Sequence, residues 1–281
     1  MVSTRIEEVL SASSGCYFEG TLVASHQSAL QRIEIFDCPD LGRLMRLDGS
    51  NMTSERDEFF YHENLIHPAA IVHPNPQRVL IVGGGDGGAA EEALKHPLKH
   101  CRLCELDAAV VEMSRQHLGS VHGGVFDAPR LTVDIGDGLA FVRGTPEKFD
   151  LIYLDLTDPV GPAEALYASS FYADCERTLT ESGALVLHIG SPFSHPSRVK
   201  QSLGQLRERF AIVTPYFVHV PIYGATWGFA VASQTLDIRL LDAAAIDARL
   251  AQRGIGQRQF YNGATHHAML ALPGYIELLV A

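Results

Sequence analysis

The chain has 281 residues, 20% of them charged and 46% hydrophobic, with a formal net charge of −11. That balance reads as a soluble globular protein with a core of its own, and it makes nucleic acid and anionic membranes poor partners on bulk electrostatics. No apolar run approaches the ~20 residues of a membrane span, Met1 to Glu8 does not read as a signal peptide, and five scattered cysteines favour a reducing cytoplasm.

Residues 1–54 read as a small N-terminal β domain. Arg32-Ile33-Glu34-Ile35-Phe36 alternates polar and apolar, as Arg43 to Leu47 does more loosely, and Asp37 to Gly42 reads as the hairpin turn between them. Asp48-Gly49 marks a further turn. Ser54, with Asp57 three residues on, predicts a capped helix from about Glu55 to Val72, ended by Pro74 and Pro76. From Gln77 the pattern becomes strand–helix alternation. Strands are predicted near 78–82, 101–106, 130–134, 149–154, 184–189 and 211–218. Helices are predicted near 87–95, 108–117, 138–143, 164–180 and 196–209. Such alternation implies an α/β fold with a mainly parallel, doubly wound sheet over 55–281, whose ligand sits at the carboxyl ends of the strands.

The first of these strands, Arg78 to Val82, runs into Gly83-Gly84-Gly85-Asp86-Gly87-Gly88. The glycine spacing suits a nucleotide loop, but Asp86 sits inside it. A loop that cradles pyrophosphate offers backbone N–H groups and no added negative charge. A carboxylate there suits a cationic nucleoside, which favours a sulfonium over a nicotinamide cofactor. Glu105, at the end of the second strand and twenty residues beyond Gly85, is placed to accept hydrogen bonds from ribose hydroxyls. Asp137-Gly138 follows the third strand, where S-adenosyl-dependent folds hold the adenine. The fourth strand ends in Asp155-Leu156-Thr157-Asp158-Pro159-Val160-Gly161-Pro162. Asp86, Asp155 and Asp158 would then face one cleft, and like charges at close range are costly unless cations relieve them. A diamine and a sulfonium would do so together. No metal is expected: the thirteen histidines show no ligating spacing, and Cys101 and Cys104 point to opposite faces of a predicted strand.

In this setting the chain resembles the polyamine aminopropyltransferases, most of all the bacterial spermidine synthases. The resemblance rests on Gln31 to Phe36, Leu47-Asp48-Gly49, Ser54 to Glu63 with its Tyr61-His62-Glu63, the glycine loop, Cys104 to Asp107, Asp137-Gly138, Asp155 to Pro162, Pro221-Ile222-Tyr223, and Tyr261-Asn262 through His266 to Pro273. It implies a Rossmann-like methyltransferase-type domain behind a small N-terminal antiparallel β domain. It implies decarboxylated S-adenosylmethionine as co-substrate without a prosthetic group, a small diamine as acceptor, and a cytoplasmic homodimer or homotetramer. It also implies residue roles. Gln31, Glu105, Asp137, Gly138 and Pro162 would hold the nucleoside, and Asp86 and Asp155 the aminopropyl amine. Tyr61, Asp155, Asp158 and Tyr223 would receive the diamine, with His62 lining the site and Asp155 acting as base. The chain departs from the family pattern at Leu30, Glu91-Glu92 and Leu156. It also lacks the N-terminal tryptophan that walls the amine pocket, its sole tryptophan being Trp227.

The implied chemistry agrees with the residues. An unperturbed alkylamine has a pKa of about 10, so the nucleophile needs a proton acceptor. The sulfonium leaves without acid catalysis, and the remaining task is in-line alignment. Putrescine is the expected acceptor. Agmatine, cadaverine or spermidine are the alternatives within the class, and methyl transfer from S-adenosylmethionine is the alternative outside it.

Overall fold

In the computed structural model, residues 3–159 and 161–281 are described, with Gly161 and Pro162 described by backbone alone. The N-terminal strands β1 (Thr4–Ser11), β2 (Ser14–Gln27), β3 (Arg32–Cys38), β4 (Gly42–Leu47) and β5 (Ser50–Ser54) form an antiparallel meander in chain order. Seven further strands form a second sheet: β6 (Arg78–Gly83), β7 (His100–Glu105), β8 (Leu131–Ile135), β9 (Phe149–Asp155), β10 (Leu179–Gly190), β11 (Ile212–Val220) and β12 (Ala225–Ser233). Their order is β11-β12-β10-β9-β6-β7-β8. β6 to β10 run parallel, and β12 is antiparallel to both its neighbours. This is the expected α/β methyltransferase-like architecture. β6 and β9 are adjacent and central, and Val79–Val82 and Leu151–Leu154 are buried on both faces, as parallel strands covered by helices must be. No helix among the described residues is long and apolar enough to cross a membrane.

The helix Glu58–Val72 crosses this sheet and is buried from Tyr61 to Ile71. It contains Pro68, whose missing N–H leaves the Asn64 carbonyl without its helical donor. The Tyr216 hydroxyl donates to that carbonyl at 2.8 Å, so a buried orphan acceptor is satisfied from β11. Two residues on, Tyr153 donates to the Ile66 carbonyl at 3.0 Å and fixes the same helix over β9.

Two expected boundaries differ. The helix begins at Glu58, not Glu55, because Ser54 is held in β5 by its pairing with Leu44. Ser54 therefore does not cap the helix; its hydroxyl donates to Asp57 Oδ1 at 2.5 Å. The helix expected over 164–180 is divided into a 3-10 helix, Gly161–Tyr167, and an α-helix, Ser169–Thr178. Between them Ala168 is extended. β12 was not expected: Ala225 to Ser233 holds two glycine-free apolar stretches without alternation, and its register comes from β10 and β11 on either side.

Candidate active site

The site forms where β6 and β9 end. Gly83 has φ of +83° and pairs with Asp155, and a side chain there would run into the Asp155 carbonyl. Gly84 N–H donates to that carbonyl at 2.9 Å, so the loop is tied to the end of β9. Asp86 Oδ1 then accepts from Gly88 N–H at 2.9 Å and turns the chain into the helix Gly88–Leu94. The helix Glu58–Val72 passes over this turn and lays the His62 ring against Gly88, in space that any β-carbon at 88 would fill.

His62 is held at both nitrogens. Nδ1 lies 2.8 Å from Glu58 Oε2, and Nε2 lies 3.5 Å from Asp86 Oδ2. Burial disfavours a charged imidazole, but the Asp86 and Glu58 carboxylates outweigh it and hold the His62 pKa well above its ordinary value. Burial would likewise raise Asp86, yet His62 pulls it below the ordinary range. His62, Asp86 and Asp155 each place one polar atom within 4.8 Å of the others. An imidazolium has no lone pair to give a metal, so the trio is suited to ion pairing rather than coordination.

Asp155 is the odd member. Burial, and next the Asp86 charge, push its pKa up to about 7. Its Oδ2 is shielded from solvent and has no hydrogen-bond partner among the described residues, although the Tyr61 hydroxyl lies near the same carboxylate. A buried carboxylate poised near neutrality and left unserved can take a proton or face a cation.

On one side of the loop lie the residues expected to hold the nucleoside. Glu105 ends β7 against Gly85, where a β-carbon would come within 2.9 Å of Glu105 Cγ. Its Oε1 accepts from Asp107 N–H at 2.9 Å, and burial pushes its pKa up to about 7. Gln31 reaches the same place from the N-terminal sheet: its Nε2 donates to Asp107 Oδ2 at 3.0 Å, beside the Ser28 hydroxyl at 2.6 Å. Asp137 caps the helix Gly138–Gly144 through Leu139 N–H at 2.9 Å. Gly138 packs so closely on Val82 that a β-carbon would lie 2.5 Å from its Cγ1. The Pro162 side chain lies outside the described residues.

On the other side lies an aromatic wall. The Tyr61 ring is 6.1 Å from Tyr223, and Tyr223 is 4.8 Å from Trp227, which stacks on His188 at 5.9 Å. Tyr223 donates its hydroxyl proton to the Met52 carbonyl at 3.0 Å, leaving its oxygen as an acceptor only. Asp57 Oδ2 takes Ile222 N–H at 2.7 Å and so fixes the turn that carries Tyr223. Asp158 lies at this end, 2.7 Å from Arg198 Nη1.

Apart from Pro162, the structure gathers every residue singled out from the sequence. It adds Glu58, Asp57, Asp107, His188, Trp227 and Arg198. Asp57, Glu58 and Asp107 lie inside segments the sequence had flagged, and Trp227 was marked as the sole tryptophan but not placed at the site; His188 and Arg198 carried no local signal and arrive through β10 and the helix after it.

Residues 58–242 match the spermine/spermidine synthase domain family. Among curated proteins, the polyamine aminopropyltransferase of Nitrosomonas europaea is 46% identical over 276 residues, 98% of this chain and 85% of that protein. The polyamine aminopropyltransferase of Sodalis glossinidius is 41% identical over 96% of this chain and 94% of its own. Among solved structures, a spermidine synthase in complex with the transition-state analogue AdoDATO superposes with a TM-score of 0.92 at 34% identity. The spermidine synthase of Thermotoga maritima superposes at 0.89 and 33%. Each superposition covers 99% of this chain and 94% of the other.

Proposed function

The chain belongs to the spermine/spermidine synthase family and is a polyamine aminopropyltransferase, and from that premise we propose that it moves the aminopropyl group of decarboxylated S-adenosylmethionine to putrescine. The products are spermidine and 5′-methylthioadenosine.

The observation that carries this reading is Asp155 Oδ2, buried beside Asp86 without a hydrogen-bond partner among the described residues. Glu105 takes the ribose hydroxyls and Gln31 closes over them, while Asp137 and the backbone at Gly138 receive the adenine. Asp86 and Asp155 face the primary ammonium of the aminopropyl arm. The diamine enters along Tyr61 and Tyr223 past His62, with its far ammonium at Asp158. Its near nitrogen attacks the methylene next to the sulfonium. A C–N bond forms, the C–S bond breaks, and its electron pair stays on sulfur as a neutral thioether. Asp155, poised near neutrality, takes the proton from that nitrogen. The sulfonium needs no acid, so the chain's task is alignment and proton removal.

The test is calorimetric titration with S-adenosylmethionine and its decarboxylated form, followed by product analysis with putrescine, cadaverine, agmatine and spermidine. Preference for the decarboxylated nucleoside and release of methylthioadenosine with putrescine is the expected result. Equal nucleoside affinities, or a methylated product, would overturn it.

A further inference from the structure

We propose that Arg198 limits the length of the acceptor, excluding triamines by placing a fixed positive charge where their third ammonium would have to go. This rests on the aminopropyl transfer proposed above.

Arg198 sits at the start of the helix Pro196–Arg207, on an element that meets the site at its Asp158 end. Its stem crosses the end of β10 over Gly190, where a β-carbon would stand 3.2 Å from Arg198 Cδ. β10 is irregular at that point, with its register to β12 shifting between His188 and Gly190. The bare backbone thus gives the side chain its route to Asp158 Oδ1. Nη1 is out of solvent and has no hydrogen bond of good geometry among the described residues, so Asp158 is its countercharge.

The charge is local. It is felt at Tyr167, His188 and His195, all near Asp158, and not among the groups that set Asp155. Glu8, from β1, is a further acid near Asp158.

A diamine has two charges to place. One nitrogen reacts at Asp155 in its neutral form, and the other ends at Asp158, beside the Arg198 pair. A triamine extends past Asp158 with one more ammonium. Beyond that carboxylate it meets the guanidinium, and like charges at a partly desolvated site repel strongly. Arg198 would therefore also keep the chain from using its own triamine product as acceptor.

The experiment compares kcat/KM for putrescine and for spermidine in the wild type, Arg198→Met and Arg198→Lys. The wild type should prefer putrescine. Arg198→Met should raise the spermidine-to-putrescine ratio tenfold or more, while Arg198→Lys, which keeps the charge, should raise it less than tenfold. A rise below tenfold in the methionine variant, an equal rise in the lysine variant, or equal use of the two amines by the wild type overturns the inference. If the methionine variant does not fold, Arg198→Gln is read in its place by the same threshold. A wild type that releases no methylthioadenosine with any amine sinks the proposed function itself, whereas putrescine turnover with an unmoved ratio sinks this inference alone.

Discussion

Asp155 and Asp86 each place a carboxylate oxygen within 4.8 Å of the other and of a His62 ring nitrogen, and His62 is ion-paired with Asp86. One of the two is kept ionised by the imidazolium; the other is pushed up to about 7. That split supports the proton-accepting role proposed for Asp155. Asp155→Asn keeps the shape and removes the acceptor, and loss of a positioned base typically costs a factor of about 10²–10⁴ in kcat. The wild-type rate should climb as pH rises through about 7. The variant should lack that step while binding the nucleoside, and near-normal turnover at neutral pH would refute the assignment.

The same residue should destabilise the unliganded fold. A carboxyl whose native pKa is raised holds its proton longer in the folded than in the unfolded chain. Its stabilising contribution is complete below the unfolded value near 4 and is lost as pH rises through about 7. Asp155→Asn should therefore be more stable than the wild type at pH 8, by about 1–3 kcal/mol and a few degrees in Tm, with the gap closing near pH 4. Thermal melts at both pH values check this. A variant less stable than the wild type at pH 8 would contradict it.

Asp86 should set the choice between nucleosides. The extra carboxylate of S-adenosylmethionine would approach a fixed negative charge in little solvent, a mismatch of about 2–4 kcal/mol. Asp86→Asn should narrow the difference in Kd measured by calorimetry, mostly by improving binding of the carboxylated form.

Glu105 should act on binding rather than on chemistry. Hydrogen bonds to ribose hydroxyls are the same in ground and transition states, so Glu105→Gln should raise KM for the nucleoside and leave kcat within a few-fold. A fall in kcat at unchanged KM would place Glu105 elsewhere in the reaction.

Gly88→Ala tests the packing of the site. The added methyl would enter the His62 ring, and both the helix end and the ring are buried. Overpacking of this kind costs about 1–3 kcal/mol. The variant should melt earlier and lose the raised His62 pKa, which a ring-proton NMR titration would read directly; an undisturbed imidazole would show that the contact is slack.

The sequence made the strand, loop and helix order legible from Gln77 to about Val218, because buried parallel strands are continuous apolar runs and their loops are marked by glycine and acid; β12 and the helices after it, Ala243–Gln252, Gly263–Leu270 and Gly274–Val280, were not read. It also marked Asp86, Glu105, Asp137 and Asp155, each directly after such a run. It did not reveal that Ser54 ends a strand, since a serine three residues before an acid reads alike as a cap or a strand end until β4 claims it. It placed Pro68 inside a helix but did not reveal what serves the Asn64 carbonyl, because the compensating Tyr216 hydroxyl comes from residues far along the chain.

What the sequence determined by itself was local: which backbone could turn, which stretches had to be buried, and where a charge interrupts a nucleotide loop. Tertiary structure alone decided which charges share a site. The His62 pKa was raised because the Glu58–Val72 helix sets the ring between two carboxylates, Asp155 was raised by burial and by Asp86 across from it, and Asp158 met Arg198 over a bare glycine. Charge interactions depend on distance and desolvation in space, and neither quantity is written in the spacing of residues along the chain.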